Sequence, residues 1–310
     1  MTNTKLAGKP SQSKRSPEAR GVFFACLSGI LYGCLAYFGF ALVNHSFSLS
    51  DMLFWRFLLA TLVIIPFVWK RELWTRASFS KIVWLFLLGL FIYSVGAHFY
   101  FQAAQLIGSG LAMVVFFIFP LFVILLSWFI DRHKIGTATF ISMTVILIGL
   151  SLLGDYDQAN MDFYGLGLAL LSGVSYAIYV YVSKKIEIPA VQSTFILCLG
   201  SAVLFFLLSL YQSGGEMLPL PHHWGYAFIL ALVCTLLPML FLLKAMETIT
   251  ASKASILGVL EPVATLLVGI LLLEEMITFR QWVGAFIVLI GALLVQSEPY
   301  IRNCFRSNKC

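Results

Sequence analysis

Charge is scarce in this chain. Asp, Glu, Lys and Arg together make up 11% of its 310 residues, against roughly 25% in a soluble globular domain. So little charge cannot cover a water-exposed surface, which leaves no room for a sizeable soluble domain. The signatures of bond-making chemistry are missing too. The six cysteines (Cys26, Cys34, Cys198, Cys234, Cys304 and Cys310) show no CxxC pair and no metal-ligand spacing. There is no HExxH helix, no phosphate-binding glycine loop and no nucleophile–base pattern, so nothing supports an enzyme, a redox centre or an ATP-driven pump. No catalytic residue, metal ligand or cofactor is expected. The first twenty residues are polar and basic, without the pattern of a cleavable signal peptide, and read as a disordered tail.

What the chain has instead is grease. Apolar residues make up 60% of it, with 28 Phe, 12 Tyr and 7 Trp, and the mean hydropathy is +0.94. At about 20 residues per crossing, the apolar runs fall at 21–43, 51–69, 82–106, 109–130, 135–153, 163–183, 190–211, 224–243, 254–273 and 278–297. Ten crossings place the tail residues Lys5 to Arg20, the connections holding Lys70 to Lys81, Arg132, Lys134, Lys184, Lys185, Lys244 and Lys253, and the final Arg302, Arg306 and Lys309 on one side. The other side holds Asp155, Asp157, Asp162, Glu216 and Glu274-Glu275, with Arg280 the exception. That asymmetry puts both termini in the cytoplasm. It also accounts for the net charge of +6 without nucleic acid.

The two halves of the chain echo each other. Gly21, Leu27-Ser28-Gly29, Tyr32 and Tyr37 recur 144 residues later as Gly165, Leu171-Ser172-Gly173, Tyr176 and Tyr181. Ala103, Ile107, Ala112 and Pro120 recur 142 residues on as Ala245, Ile249, Ala254 and Pro262, and Leu147-Ile148-Gly149 as Leu289-Ile290-Gly291. Each half, 21–153 and 163–297, holds five spans. An odd number forces the halves to insert with opposite orientation, which is an architecture of secondary transporters with the site between the halves near the midplane. The expected fold is therefore an all-α membrane protein of ten helices in two inverted five-helix repeats, flanked by tails at 1–20 and 298–310. Prolines at 120, 238 and 262 are expected to break the fourth, eighth and ninth spans and to leave flexible backbone near the site.

Several residues carry a resemblance. Phe54-Trp55-Arg56-Phe57, Leu260-Glu261-Pro262-Val263, Glu274-Glu275 and the ending from Gly284 to Gly291-Ala292 are similar to the drug/metabolite transporter superfamily in its ten-helix EamA-type branch, over residues 21–297. The resemblance implies a central cavity lined mainly by the first, third, fourth, sixth, eighth and ninth spans. It also implies a cargo of amino acids, metabolites or drugs, often exported.

The candidate substrate-binding residues follow from depth, spacing and this resemblance. Glu261, near the middle of the ninth span, is read either as a proton-coupling carboxylate or substrate counter-charge, or as a structural, hydrogen-bonded glutamate. Ser94, His98, Gln102 and Gln105 share one face of the third span, where a polar stripe lines a cavity or seals a helix contact. Tyr32 and its repeat mate Tyr176, with Tyr179 one turn on, can hold a substrate from both halves or pack over Gly29 and Gly173. Arg56 is a candidate partner for Glu261 or for an anion. The alternative is a peripheral arginine, because the resemblance puts the second span at the periphery. Asn44-His45-Ser46 matches a glycosylation sequon by chance. The predicted function is a secondary transporter of the inner or plasma membrane, exporting a small metabolite such as an amino acid by alternating access, with protons as a candidate coupling ion. The alternatives are an uptake carrier or exchanger for a nucleotide- or sugar-like metabolite, and an intramembrane lipid-processing enzyme. A monomer and a homodimer are both compatible with the sequence.

Overall fold

Hydrocarbon offers no hydrogen-bond partner, so an apolar run in a bilayer must satisfy its own backbone, and a helix does so within one segment. The computed structural model describes residues 17–44, 48–68, 78–132, 136–153, 162–212, 224–273 and 278–307, and these are helical apart from caps and short joins. Lys70 to Arg76, Lys134, Asp155, Asp157, Glu216, Glu274-Glu275, His45-Ser46, Cys310 and the tail before Pro17 lie outside the described residues. The helices are α1 (Pro17–Tyr32), α2 (Leu35–Asn44), α3 (Leu49–Val68), α4 (Phe79–Leu87), α5 (Ser94–Ile107), α6 (Ser109–Phe116), α7 (Phe119–Asp131), α8 (Thr137–Leu153), α9 (Phe163–Ile186), α10 (Ala190–Gln212), α11 (Trp224–Ala231), α12 (Leu237–Met246), α13 (Ala251–Leu257), α14 (Leu260–Leu273) and α15 (Phe279–Ser307). Among the described residues, taken as continuous rods, eight stretches are long and apolar enough to cross a membrane, and Thr139–Leu153 and Phe279–Leu294 are shorter apolar helices.

Two boundaries differ from the sequence reading. Pro17 to Arg20, expected in the tail, form the first turn of α1, where proline's missing N–H is no loss. Helix α15 continues past residue 297 to Ser307. Local chemistry explains other starts. The Asp162 carboxylate accepts from the backbone N–H groups of Tyr164 and Gly165 at 3.2 Å and caps α9. Thr250 Oγ1 accepts from Lys253 N at 3.2 Å and caps α13.

The duplication seen in sequence reappears as duplicated contacts. Ser28 Oγ donates to the Pro238 carbonyl at 2.7 Å, and its mate Ser172 donates to the carbonyl of Gly96, the mate of Pro238, at 2.7 Å. A methyl group on Gly29 would lie 3.0 Å from the Gly258 carbonyl, and one on Gly173 would lie 2.8 Å from the Phe116 carbonyl. In α8 and α15, Ser142 Oγ donates to the Gly291 carbonyl at 2.5 Å while Gly149 lies against Gly284. The low number of one helix meets the high number of the other, so these two repeat mates pack antiparallel.

Proline does not act at all three places as expected. Pro120 and Pro262 lie in the first turns of α7 and α14, just after the breaks at Phe117-Ile118 and Gly258-Val259. Pro238 follows a π-turn, Leu232–Leu236, rather than a break. The first half has a matching π-turn at Leu88–Tyr93 with no proline near it. Span one breaks at Gly33-Cys34, a break the sequence did not suggest, whereas its mate α9 is continuous.

Candidate functional site

Between the halves lies a cavity with an empty volume of about 490 Å³. Helices α1 and α2 supply Tyr32 and Leu35, and α3 supplies Arg56. The π-turn and α5 supply Tyr93, Gly96, Ala97, Tyr100 and Phe101, α6 supplies Phe116, α9 supplies Ser172 and Tyr176, and α14 supplies Glu261. Half of these residues are aromatic, and among the rest are one arginine and one glutamate. A second cavity, of about 260 Å³, shares Tyr32, Tyr176 and Glu261 and is otherwise lined by residues that include Ser28, Phe119 and Ser255. These three side chains form the partition between the two spaces.

The partition is held by ring contacts. Tyr176 meets Phe119 and Phe116 edge-on, at 4.7 and 5.4 Å between centroids, and meets Tyr179 at 5.3 Å. The Tyr32 and Tyr93 hydroxyls lie 3.4 Å apart. Tyr179 is fully buried behind this layer and lines neither cavity, and its hydroxyl has no hydrogen-bond partner among the described residues.

Arg56 is 2% exposed. Its Nε donates to Thr235 Oγ1 at 2.6 Å, and the guanidinium lies 5.0 Å from the Phe57 ring centroid. It lines the cavity, although the resemblance places its helix at the periphery. Arg56 and Glu261 share the cavity wall but form no direct ion pair. A guanidinium and a carboxyl group held apart on one cavity wall can bind a molecule that carries a carboxylate and an amine.

The polar stripe of α5 lies elsewhere. His98 is half-buried and near the Phe205 ring of α10, at 6.3 Å between centroids, and its Nδ1 has no partner among the described residues. Gln102 is half-buried, Gln105 is exposed, and Ser94 Oγ donates to the Gly89 carbonyl at 2.6 Å. The cavity receives the other face, Tyr93, Gly96, Ala97 and Tyr100, at offsets of three, four and seven residues. That aromatic and small-residue stripe was readable in the sequence, but an apolar stripe in an apolar helix does not stand out. Thr235 had no signal at all. Among the described residues no group of three His, Cys, Asp or Glu is placed to hold a metal ion.

The model of the EamA-like transporter family matches this chain twice, over residues 19–154 and 163–297. An uncharacterized transporter of Archaeoglobus fulgidus is 28% identical over 260 residues, covering 82% of this chain and 87% of that protein. Protein PecM of Dickeya dadantii is 28% identical over 217 residues, covering 68% of this chain and 73% of its own length. A crystal structure superposes with a TM-score of 0.75 at 16% identity, covering 88% of this chain and 95% of the other, and shows likeness of fold.

Proposed function

Because the chain belongs to the EamA-like transporter family, a family of transporters rather than enzymes, we propose that its cargo is a small zwitterion, an amino acid in the first place. We propose that it is exported across the cell membrane by alternating access between two inverted five-helix halves. One observation carries this reading: Arg56 and Glu261 face a single aromatic-walled cavity without neutralising each other directly. A carboxylate on Arg56 and an ammonium on Glu261 offset the cost of keeping both charges at membrane depth, and the tyrosine rings take the apolar side chain. A nucleotide, with several negative charges facing one arginine, fits this wall less well.

Ten crossings with both termini in the cytoplasm agree with the basic residues. The ion pairs Lys253–Glu18, Lys185–Asp131 and Lys81–Glu187 each join a first-half residue to a second-half residue, and they gather at the end of the bundle where α1 begins. Glu261 borders both cavities, which suits a carboxylate that exchanges substrate for a proton as the partition opens on alternate sides.

The test is thermal stabilisation of the purified protein by a panel of amino acids, amines, nucleotides and sugars. The expected hit carries both charges and is lost in Arg56→Gln and in Glu261→Gln. A hit lacking either charge, or one untouched by both variants, overturns the assignment.

A further inference from the structure

We propose that Thr235 is a positioning residue: it fixes the Arg56 guanidinium so that its terminal nitrogens face substrate, and it does so by virtue of the π-turn in which it lies. Thr235 is fully buried. Its hydroxyl donates to the Leu230 carbonyl, five residues back, at 2.8 Å, and accepts from Arg56 Nε at 2.6 Å. A threonine in a regular α-helix reaches the carbonyl three or four residues back. The fifth comes within reach because Leu232–Leu236 is wound wider. With its only hydrogen committed to Leu230, the hydroxyl meets Arg56 solely as an acceptor.

The consequence lies in the shape of the guanidinium. Holding Nε leaves the two terminal nitrogens, and among the described residues these have no protein acceptor. A carboxylate takes two parallel hydrogen bonds from such a fork. The first half has the same backbone device without the cation. There Ser94 Oγ donates to the Gly89 carbonyl five residues back at 2.6 Å, and Ser201 Oγ of α10 donates to the same oxygen at 3.2 Å. The hydroxyl-closed π-turn is therefore common to both halves, and among the described residues only that of the second half holds an arginine. This inference rests on the reading of Arg56 as the carboxylate partner.

Two measurements test it. In full-length protein labelled with 15Nε-arginine, the Arg56 signal is assigned by its loss in Arg56→Lys. Its Nε–H is expected to exchange slowly with water, at least roughly 10-fold faster in Thr235→Val, and near the original rate in Thr235→Ser, consistent with loss and return of one charge-assisted hydrogen bond. Thr235→Ala serves where the valine variant does not fold. In the second measurement, an amino-acid hit from the panel and the amine lacking its carboxylate are titrated side by side. Thr235→Val is expected to weaken the amino acid roughly 10-fold, to leave the amine within about twofold, and to be rescued by Thr235→Ser. Unchanged exchange in the valine or alanine variant overturns the positioning role, and this arm needs no ligand. Altered exchange with Arg56→Gln binding the amino acid normally retains the Thr235–Arg56 geometry but overturns the carboxylate reading. Equal weakening of amino acid and amine shows a general packing defect and also overturns the role.

Discussion

The hydroxyl of Ser28 rests on the carbonyl of Pro238, and 144 residues later Ser172 repeats the bond on Gly96, both at 2.7 Å. Each bond crosses from one half of the molecule to the other, so the seam between the halves is built twice from the same part. Interhelical hydrogen bonds in membranes contribute about 0.6–1.7 kcal/mol. Ser28→Ala and Ser172→Ala are therefore each expected to destabilise by about 1 kcal/mol, with nearly additive effects in the double variant, read from unfolding in mixed micelles. A loss in one variant and none in the other would show that the two seams are not equivalent.

Arg56→Lys keeps the charge but is expected to bind substrate little better than Arg56→Gln. Lysine has no planar fork and no Nε–H to give Thr235 Oγ1 while its head meets a carboxylate. Loss of a charged hydrogen-bonding partner corresponds to about 1.5–3 kcal/mol, roughly a 10- to 100-fold weaker Kd, measured by titration. Recovery with lysine would mean that charge alone is read at this position.

His98→Ala and Gln102→Ala are expected to leave substrate affinity within about twofold. Both side chains lie off the cavity wall, with His98 beside Phe205. Binding titrations decide this, and a tenfold loss in either variant would bring the polar stripe back into the site.

Lys253 Nζ and Glu18 Oε1 lie 2.7 Å apart, with the glutamate half-exposed at 52% of its side chain. Solvent screening limits such a pair to about 0.2–1 kcal/mol. Glu18→Lys is expected to favour the form open at that end by at most about fivefold, and the exchange Glu18→Lys with Lys253→Glu is expected to reverse it. Labelling of Ser255→Cys, on the smaller cavity, by a membrane-impermeant thiol reagent reads the opening from each side. The difference should vanish in high salt. Identical labelling at low salt would show that the pair does not bias the opening.

The apolar runs and the duplicated halves were legible in the sequence for one reason. A bilayer sets the length of every crossing and makes a charge at its centre costly, so both leave marks in the order of residues. The repeat survived because equivalent helices need the same small residues at the same close approaches, as Gly29 and Gly173 do. The wall of the site was decided elsewhere. Whether α5 turns Tyr93 and Tyr100 or His98 and Gln102 to the cavity depends on what packs on each side of it, and an apolar helix in lipid carries no solvent-facing stripe to reveal the answer. The π-turn at Leu88–Tyr93 has no proline to announce it. Arg56 lines the cavity, and its Nε–H is accepted by a threonine 179 residues away. Local pattern thus determined what crosses the membrane and how often it is repeated, whereas the facing of each helix, and with it the chemistry of the hollow, came only from long-range packing.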